Sequence, residues 1–497
     1  GGLFFRHAAS ATQHMGSLRG GPPVVPANTI YRTVQQQDYS AGIWLRRKEK
    51  KLEHSQQKCI VIFALVCCFA VLVALIFSAV DVWGEDEDGI TEENCNKNCR
   101  VVLVENIPED VTFSENGTSH LPLSAGLHSL LDLAVAGHSV EIVSPQWNLN
   151  SSDYESRFLQ SSRQHCTIIM LRFLSLSILS FPTCVGEVHY INMTALTKGF
   201  LHSSFWVVDR QHIYIGSATM DWRSLSTMKE LGIIVYNCSC LALDLHRVFN
   251  LYWQLQYKDF IPSMWSKRLS ALWNKDENLP LLFNNTKAEV FVSSSPDVFC
   301  PKDRTRDLDA IAYVIQKAKR FIYISITDYL PLTNRNAHRY WSRIDGMLRE
   351  ALILRNIEVR LLVSCWEQTH PLTFNFVWSL KTLCMELANC SMEAKFFSPR
   401  KQRDGTLQGI NHNRFMVTDS AVYIGNFDWV GNEFTFNAGA GMVISQAEGV
   451  KEKNSTLVEQ VRATFERDWY SRHTKSLQAN KIPVCNKLKT KTNCRGQ

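Results

Sequence analysis

The sequence predicts an α/β fold built twice in one chain and preceded by one transmembrane helix. Three observations carry this reading. Strand-like apolar runs alternate with amphipathic helical stretches between residues 100 and 475. One motif occurs twice, 210 positions apart (412 minus 202): His202-Ser-Ser204-Phe-Trp-Val-Val-Asp209 and His412-Asn-Arg414-Phe-Met-Val-Thr-Asp419. Each copy is followed by Tyr-Ile-Gly (Tyr214 to Gly216, Tyr423 to Gly425) and then by Asp-Trp (Asp221-Trp222, Asp428-Trp429). Finally, Ile60 to Val80 is an uncharged run of 21 residues, which at about 1.5 Å per residue matches a ~30 Å hydrocarbon layer.

The elements follow in order. Residues 1–58 lack hydrophobic periodicity and read as a cytosolic tail, residues 59–81 as a signal anchor and residues 82–99 as an acidic stalk. Arg46, Arg47, Lys48, Lys50, Lys51 and Lys58 precede the apolar run, and Glu85, Asp86, Glu87 and Asp88 follow it. The positive-inside rule then places the N-terminus in the cytosol and the remainder in the lumen or outside the cell, a single-pass type II arrangement. A cleaved signal peptide would have a shorter apolar run, about 7–15 residues, nearer the start of the chain. Glycosylation sequons at Asn116, Asn150, Asn192, Asn237, Asn284, Asn389 and Asn454 all lie C-terminal to the run. So do twelve cysteines, Cys95, Cys99, Cys166, Cys184, Cys238, Cys240, Cys300, Cys365, Cys384, Cys390, Cys485 and Cys494, an even number suited to disulfides in an oxidising compartment. Cys95-x3-Cys99 and Cys238-x-Cys240 lack a His/Cys pair at zinc-finger spacing, and no metal is implied. The net charge of +6 is small for 497 residues and its cations are scattered, which argues neither for nor against a nucleic-acid partner.

The first half, residues 100–285, opens with a strand at Arg100 to Val104. Leu123, Leu127, Leu130, Leu131 and Ala134 then recur at helical spacing, and a second strand follows at Val140 to Val143. The second half, residues 286–475, is clearer. Leu308, Ile311, Ala312 and Ile315 mark a helix, Phe321 to Ser325 a strand, Ile344, Met347, Leu348, Ala351 and Leu352 a helix, and Ile357 to Val363 a strand. Phe376, Val377, Leu380, Leu383, Cys384 and Leu387 mark a third helix, and Met392 to Phe397 a strand leading to His412. Residues 476–497 form a tail. The halves are not equal: Ile324 lies 88 positions before His412, Val143 only 59 before His202, so the first half is short by 29, about one helix and one strand. Cys166 to Cys184, where this deficit falls, carries no clear helix face. With Arg172 and Pro182 interrupting it, it is too short for a second span.

The repeated motif resembles the H-x-K-x4-D signature of the phospholipase D superfamily over residues 100 to 475, and resembles most its inactive branch. The resemblance implies two α/β halves packed about a pseudo-twofold axis, with both motifs at one cleft. It implies a mechanism in which one histidine attacks phosphorus and the other protonates the leaving oxygen. It also implies that Asp209 and Asp419 orient His202 and His412. Strand alternation puts the third motif residue beside each histidine, where the family has lysine and this chain has Ser204 and Arg414. Losing one preorganised donor costs roughly 2.7–4 kcal/mol, or 10²–10³ in rate. Arginine keeps charge but presents a wider planar fork. In the loops that follow, Ser217, Thr219 and Asn426 align with phosphate-binding positions, whereas Asp428 brings a negative charge. Arg223, Ser224 and Glu230 align with positions that organise the interface, and Trp206, Trp222, Trp429 and the aromatic residues at 374–376 read as core.

The expectation is therefore a phospholipase D-like pseudoenzyme in which His202, Asp209, His412 and Asp419 persist as a network holding the halves together. The alternatives are a phosphodiesterase acting on phospholipid or single-stranded nucleic-acid ends, and a protein that binds phosphate without turnover. No cofactor is implied. The expected partners are the membrane, through one span, a phosphate-containing ligand, and a second copy of the chain.

Overall fold

The computed structural model describes residues 58–74, 90–113, 120–136, 139–148, 169–175, 184–256, 258–333, 339–398, 409–447, 455–478, 483 and 485. It divides into two compact units, Gly1–Val80 and Asp81–Gln497. In the first unit residues 58–74 are helical and their large apolar side chains are exposed, Phe63 by 71% and Ile60 by 67%. Among the described residues no helix is long and apolar enough to cross a membrane. The rest of the apolar run, to Val80, lies outside the described residues, as do Asn116, Asn150 and Asn454.

The second unit contains two sheets. The first is built from β1 (Asn98–Asn106), β2 (Ser139–Ser144), β3 (Ile169–Ser175), β4 (Cys184–His189), β5 (Phe205–Val208), β6 (His212–Gly216) and β7 (Met228–Tyr236), in the order β4-β3-β2-β5-β6-β7-β1, every pair antiparallel. The second uses β8 (Leu279–Phe283), β9 (Thr286–Ser295), β10 (Phe321–Ile326), β11 (Glu358–Ser364), β12 (Met392–Phe397), β13 (Phe415–Thr418), β14 (Ala421–Ile424), β15 (Gly439–Ser445) and β16 (Thr474–Ser476). Its order is β8-β9-β15-β14-β13-β10-β11-β12-β16.

The duplication is visible in the pairing. The stretch β2-β5-β6-β7-β1 matches β10-β13-β14-β15-β9 strand for strand, and each motif crosses the corresponding hairpin. The halves part company beyond β2 and β10. In the second half β10 pairs in parallel with β11, and β11 with β12, each through a helical crossover. In the first half β2 pairs with the antiparallel hairpin β3–β4. A hairpin needs only a short turn where parallel strands need a crossover, and that accounts for the first half being shorter. The Cys166 to Cys184 stretch thus contributes β3.

Helices lie on both faces of both sheets. α1 (Leu123–Ala136) covers the outer face of the first sheet, burying Leu123, Leu127 and Leu130 against Val104, Trp206 and Ile234. α3 (Asp307–Lys317), α4 (Ser342–Leu354) and α5 (Pro371–Thr382) cover the outer face of the second, against Ile322, Ile324 and Met416. Between the sheets lie α2 (Ser239–Trp253) and α6 (Leu457–Trp469), whose Leu241, Leu245, Phe249, Val461 and Phe465 share one core with Leu103, Ile233, Val292 and Val417. Strands covered on both faces read as continuous apolar runs; this is why Ile213 to Ile215 and Val422 to Ile424 show no alternation in burial. α6 begins with a capping box, Thr456 with Glu459.

The two middle helices also carry buried charge. Asp244 of α2 meets Arg304 at 2.7 Å, Asp468 of α6 meets Lys229 of β7 at 2.6 Å, and Arg467 meets Glu105 of β1 at 2.6 Å. Disulfides Cys95–Cys240 and Cys99–Cys238 fasten the start of β1 to the start of α2; Cys365–Cys485 and Cys384–Cys390 staple the second half. Cys300 is a free thiol, and burial pushes its pKa up to about 12, so it is inert as a nucleophile at neutral pH.

Candidate functional site

Both motifs enter one cleft where the halves meet, and the backbone places them. The amide of His202 donates to the Ala438 carbonyl at 2.7 Å, and the amide of His412 donates to the Lys229 carbonyl at 2.8 Å. Each histidine is therefore registered by the opposite half. Residues 410–411 run parallel to the start of β7, and Leu201 bridges Ala438, which completes the pseudo-twofold seam. The seam is tight: a Cβ added to Gly199 would lie 2.0 Å from the Phe436 carbonyl oxygen, so only glycine fits there. Asn426 spans it as well, its Nδ2 donating to the Gly216 carbonyl at 2.9 Å and its Oδ1 accepting from the Ala440 amide at 3.1 Å.

The carboxylates that serve the histidines are also exchanged between halves. Glu230, fully buried on β7 of the first half, accepts from Nδ1 of His412 at 2.8 Å. Ser217 and Ser224 donate to the same carboxylate at 2.5 and 2.6 Å, fixing its orientation. Such a partner holds the tautomer that leaves Nε2 of His412 facing the cleft. Glu433, from the second half, lies with Oε2 3.7 Å from Nε2 of His202, and the Phe427 ring stands 5.9 Å from the His202 ring. Burial lowers the His202 pKa, and the charge of Arg414 acts the same way, against Glu433 and Asp428. His202 is accordingly neutral at neutral pH.

Asp209 and Asp419 do not take the expected role. Each follows its motif strand while the histidine precedes it, and seven residues at about 3.3 Å per residue separate them by on the order of 20 Å. Asp209 accepts from the Ser139 amide at 2.7 Å, where β2 begins. Asp419 accepts from the Lys319 and Arg320 amides at 2.9 and 3.0 Å, just before β10. The repeated aspartate thus anchors the neighbouring strand, and the expected histidine–aspartate network is replaced by His412–Glu230 and His202–Glu433.

Both positions aligned with the motif lysine are engaged by internal bonds. Ser204 is buried and its hydroxyl donates to the Ala218 carbonyl. Arg414 donates through Nη2 to Asp428 Oδ2 at 3.0 Å, and Asp428 Oδ1 accepts from the Thr327 and Asp328 amides at 2.8 and 3.0 Å. Burial would raise the Asp428 pKa, but the charge and hydrogen bond of Arg414 outweigh it and hold the carboxyl below its ordinary range. Arg414 and Asp428 thus form a closed ion pair. Beside it, burial and then the negative charge of Asp428 push Asp328 up to about 7. Ser217 and Asn426 are turned away from the cleft by the bonds already described, and the amide of half-buried Thr219 donates to Ser224 Oγ at 2.9 Å.

Asp328 makes the site sensitive to pH. Its carboxyl pKa is raised on folding, so the folded chain binds more protons than the unfolded one between about pH 4 and pH 7, and stability falls as pH rises through that window. Asp328→Asn mimics the protonated form. It is expected to raise stability more at pH 8 than at pH 4, by about 2–4 kcal/mol, read as chemical-denaturation midpoints at the two pH values. Equal effects at both would contradict the shift.

Fold and site together define a duplicated α/β scaffold with two histidines at a pseudo-twofold seam and altered lysine positions. Residues 114–402 match the family model described as "PLD3/4, PLD-like domain". The chain belongs to the phospholipase D family. It is 53% identical to "Inactive phospholipase D5" of Mus musculus and 52% identical to the protein of that name in Homo sapiens, in each case over 92% of this chain and 88% of the relative. It is 33% identical to "5'-3' exonuclease PLD3" of Xenopus laevis, over 89% of this chain and 96% of the relative.

Proposed function

We propose that this protein is a phosphodiesterase-fold protein without phosphodiesterase turnover. The observation that carries the reading is that both motif-lysine positions are closed by internal bonds, Ser204 to the Ala218 carbonyl and Arg414 to Asp428. A phosphorane developing charge between the two histidines would find no lysine at either motif position, Arg414 already paired with Asp428, and Glu433 beside His202. The names of the 52–53% identical relatives agree with this reading. The second reading is a phosphodiesterase acting on phospholipid or on single-stranded nucleic-acid ends. The retained His412–Glu230 pair favours it, together with the exonuclease name of the Xenopus relative.

Assay of the full chain against a phospholipid, a chromogenic phosphodiester and single-stranded DNA with free 5' ends separates the two. Under the first reading, release matches that of the His202→Ala/His412→Ala double variant. Turnover that disappears with either histidine overturns it. The proposal includes a type II topology, supported by the charge asymmetry around Ile60 to Val80, by sequons on one side only and by four disulfides in the second unit. That topology makes the lumen or the exterior the place where the cleft meets a phosphate-containing ligand or a protein partner.

A further inference from the structure

We infer that the four described sequons divide by their chemistry: Asn192, Asn237 and Asn389 carry glycans, and Asn284 does not, because its side-chain amide serves as a clamp between the two sheets. The inference rests on the luminal reading above. All four asparagines are exposed, so accessibility alone does not separate them.

Asn284 follows β8, where the second sheet touches β1 of the first. Asn98 and Cys99 pair in parallel with Leu282 and Phe283; the Leu282 amide donates to the Lys97 carbonyl at 2.8 Å and the Asn284 amide to the Cys99 carbonyl at 3.0 Å. The backbone then turns away, with φ of 51° at Asn284, and the side chain continues the ladder in its place. Val101 N–H donates to Asn284 Oδ1 at 3.1 Å, and Asn284 Nδ2 donates to the Val101 carbonyl at 2.9 Å. A primary amide that binds one residue's N–H and C=O together uses its oxygen and the hydrogen syn to that oxygen.

A glycan replaces that hydrogen. The glycosylated amide is secondary, and like a peptide bond it keeps its nitrogen substituent syn to oxygen, because the other isomer is strongly disfavoured. The first sugar carbon would occupy the position through which Asn284 reaches Val101, a buried residue whose N–H and C=O would both lose their partner. The other three asparagines lack this conflict. Asn192 uses only Oδ1, accepting from the Ala195 amide at 3.0 Å as a helix cap. The side chains of Asn237 and Asn389 have no hydrogen-bond partner among the described residues.

The test uses the full chain expressed in a secretory-competent cell. Asn192→Gln, Asn237→Gln and Asn389→Gln are each expected to remove one glycosidase-sensitive step in mobility, and Asn284→Gln none. Peptide mass spectrometry of the folded unmodified chain is expected to find Asn284 bare. Separately, Asn284→Gln and Asn284→Asp, the latter keeping the oxygen and losing the donor, should lower the melting temperature by about 2–4 °C, with Asn237→Gln unchanged. A glycan on Asn284 in folded protein, or melting of both Asn284 variants at the parent temperature, overturns the clamp. Absence of glycan at every site overturns the luminal reading instead, and the melting comparison still decides the clamp.

Discussion

The full chain carrying Ser204→Lys, Arg414→Lys, Asp428→Asn and Glu433→Gln is expected to hydrolyse a chromogenic phosphodiester roughly 10²–10³ times faster than the unmodified protein. Each change answers one feature of the cleft. Lysine at 204 supplies an ammonium where a buried hydroxyl now donates to Ala218. Arg414→Lys alone is expected to achieve little, because Asp428 would pair with the new ammonium as it pairs with the guanidinium. Removing the Asp428 charge frees the cation for phosphate, and Glu433→Gln removes a negative charge 3.7 Å from Nε2 of His202 that a phosphorane there would meet. His202→Ala in this background should return the rate to background, which ties any activity to the phosphohistidine route. If the four-fold variant melts like its parent and still shows no turnover, the closed lysine positions are not the cause of inactivity. The β3–β4 hairpin, where the halves differ most, then becomes the place to look.

Asp244→Ala is expected to destabilise the protein by about 3–5 kcal/mol. Asp244 and Arg304 are each 1% exposed in their side chains. The carboxylate accepts from Arg304 Nη1 at 2.7 Å, from Nη2 at 2.9 Å and from the Leu272 amide at 3.0 Å. Truncation leaves a guanidinium buried between the sheets with its partner gone, and that uncompensated charge, more than the lost contact, sets the size of the effect. Replacing both residues, Asp244→Leu with Arg304→Met, should recover most of the loss. Asp276→Ala breaks a pair with 39% and 77% exposed side chains and should stay within about 1 kcal/mol. Denaturant midpoints measure all three. An Asp244→Ala midpoint within error of the parent would show that water or another group reaches Arg304.

Much of this arrangement was legible in the residues. Helical spacing placed α1, α3, α4 and α5, and apolar runs placed β1, β2, β10, β11 and β12, because a face buried against one layer imprints its period on the chain. The repeated motif marked the strands β5 and β13, though not the hairpins they form with β6 and β14. Pairing partners were not legible, since periodicity is the same for a parallel crossover strand and for an antiparallel hairpin; the deficit of 29 positions was countable, but not its replacement by β3–β4. The family resemblance assigns the repeated aspartates to the histidines, whereas seven residues along a strand already place Asp209 far from His202. Glu230 stood in a recognised position without an assigned task, and Glu433 carried no signal in the motif. Both reach their histidines only across the seam, a contact between residues 182 apart in one case. The disulfide pairing was likewise beyond reach, because four of the cysteines meet through the placement of α2 against β1.

The exchange of backbone support across the seam also has a consequence for the order of events on the ribosome. Cys95, Cys99, Cys238 and Cys240 have all been synthesised by residue 240, so both disulfides of the first half can close early. Ala438, whose carbonyl registers His202, is made 198 residues later (438 minus 240), which at 5–20 residues per second is roughly 10–40 s. Throughout that interval the first half is covalently closed while Leu241, Leu245 and Phe249 of α2 await the second sheet. Nascent chains that expose an apolar face for tens of seconds depend on chaperones to survive. The period of greatest hazard for this protein is thus the wait of one half for the other, before the cleft exists.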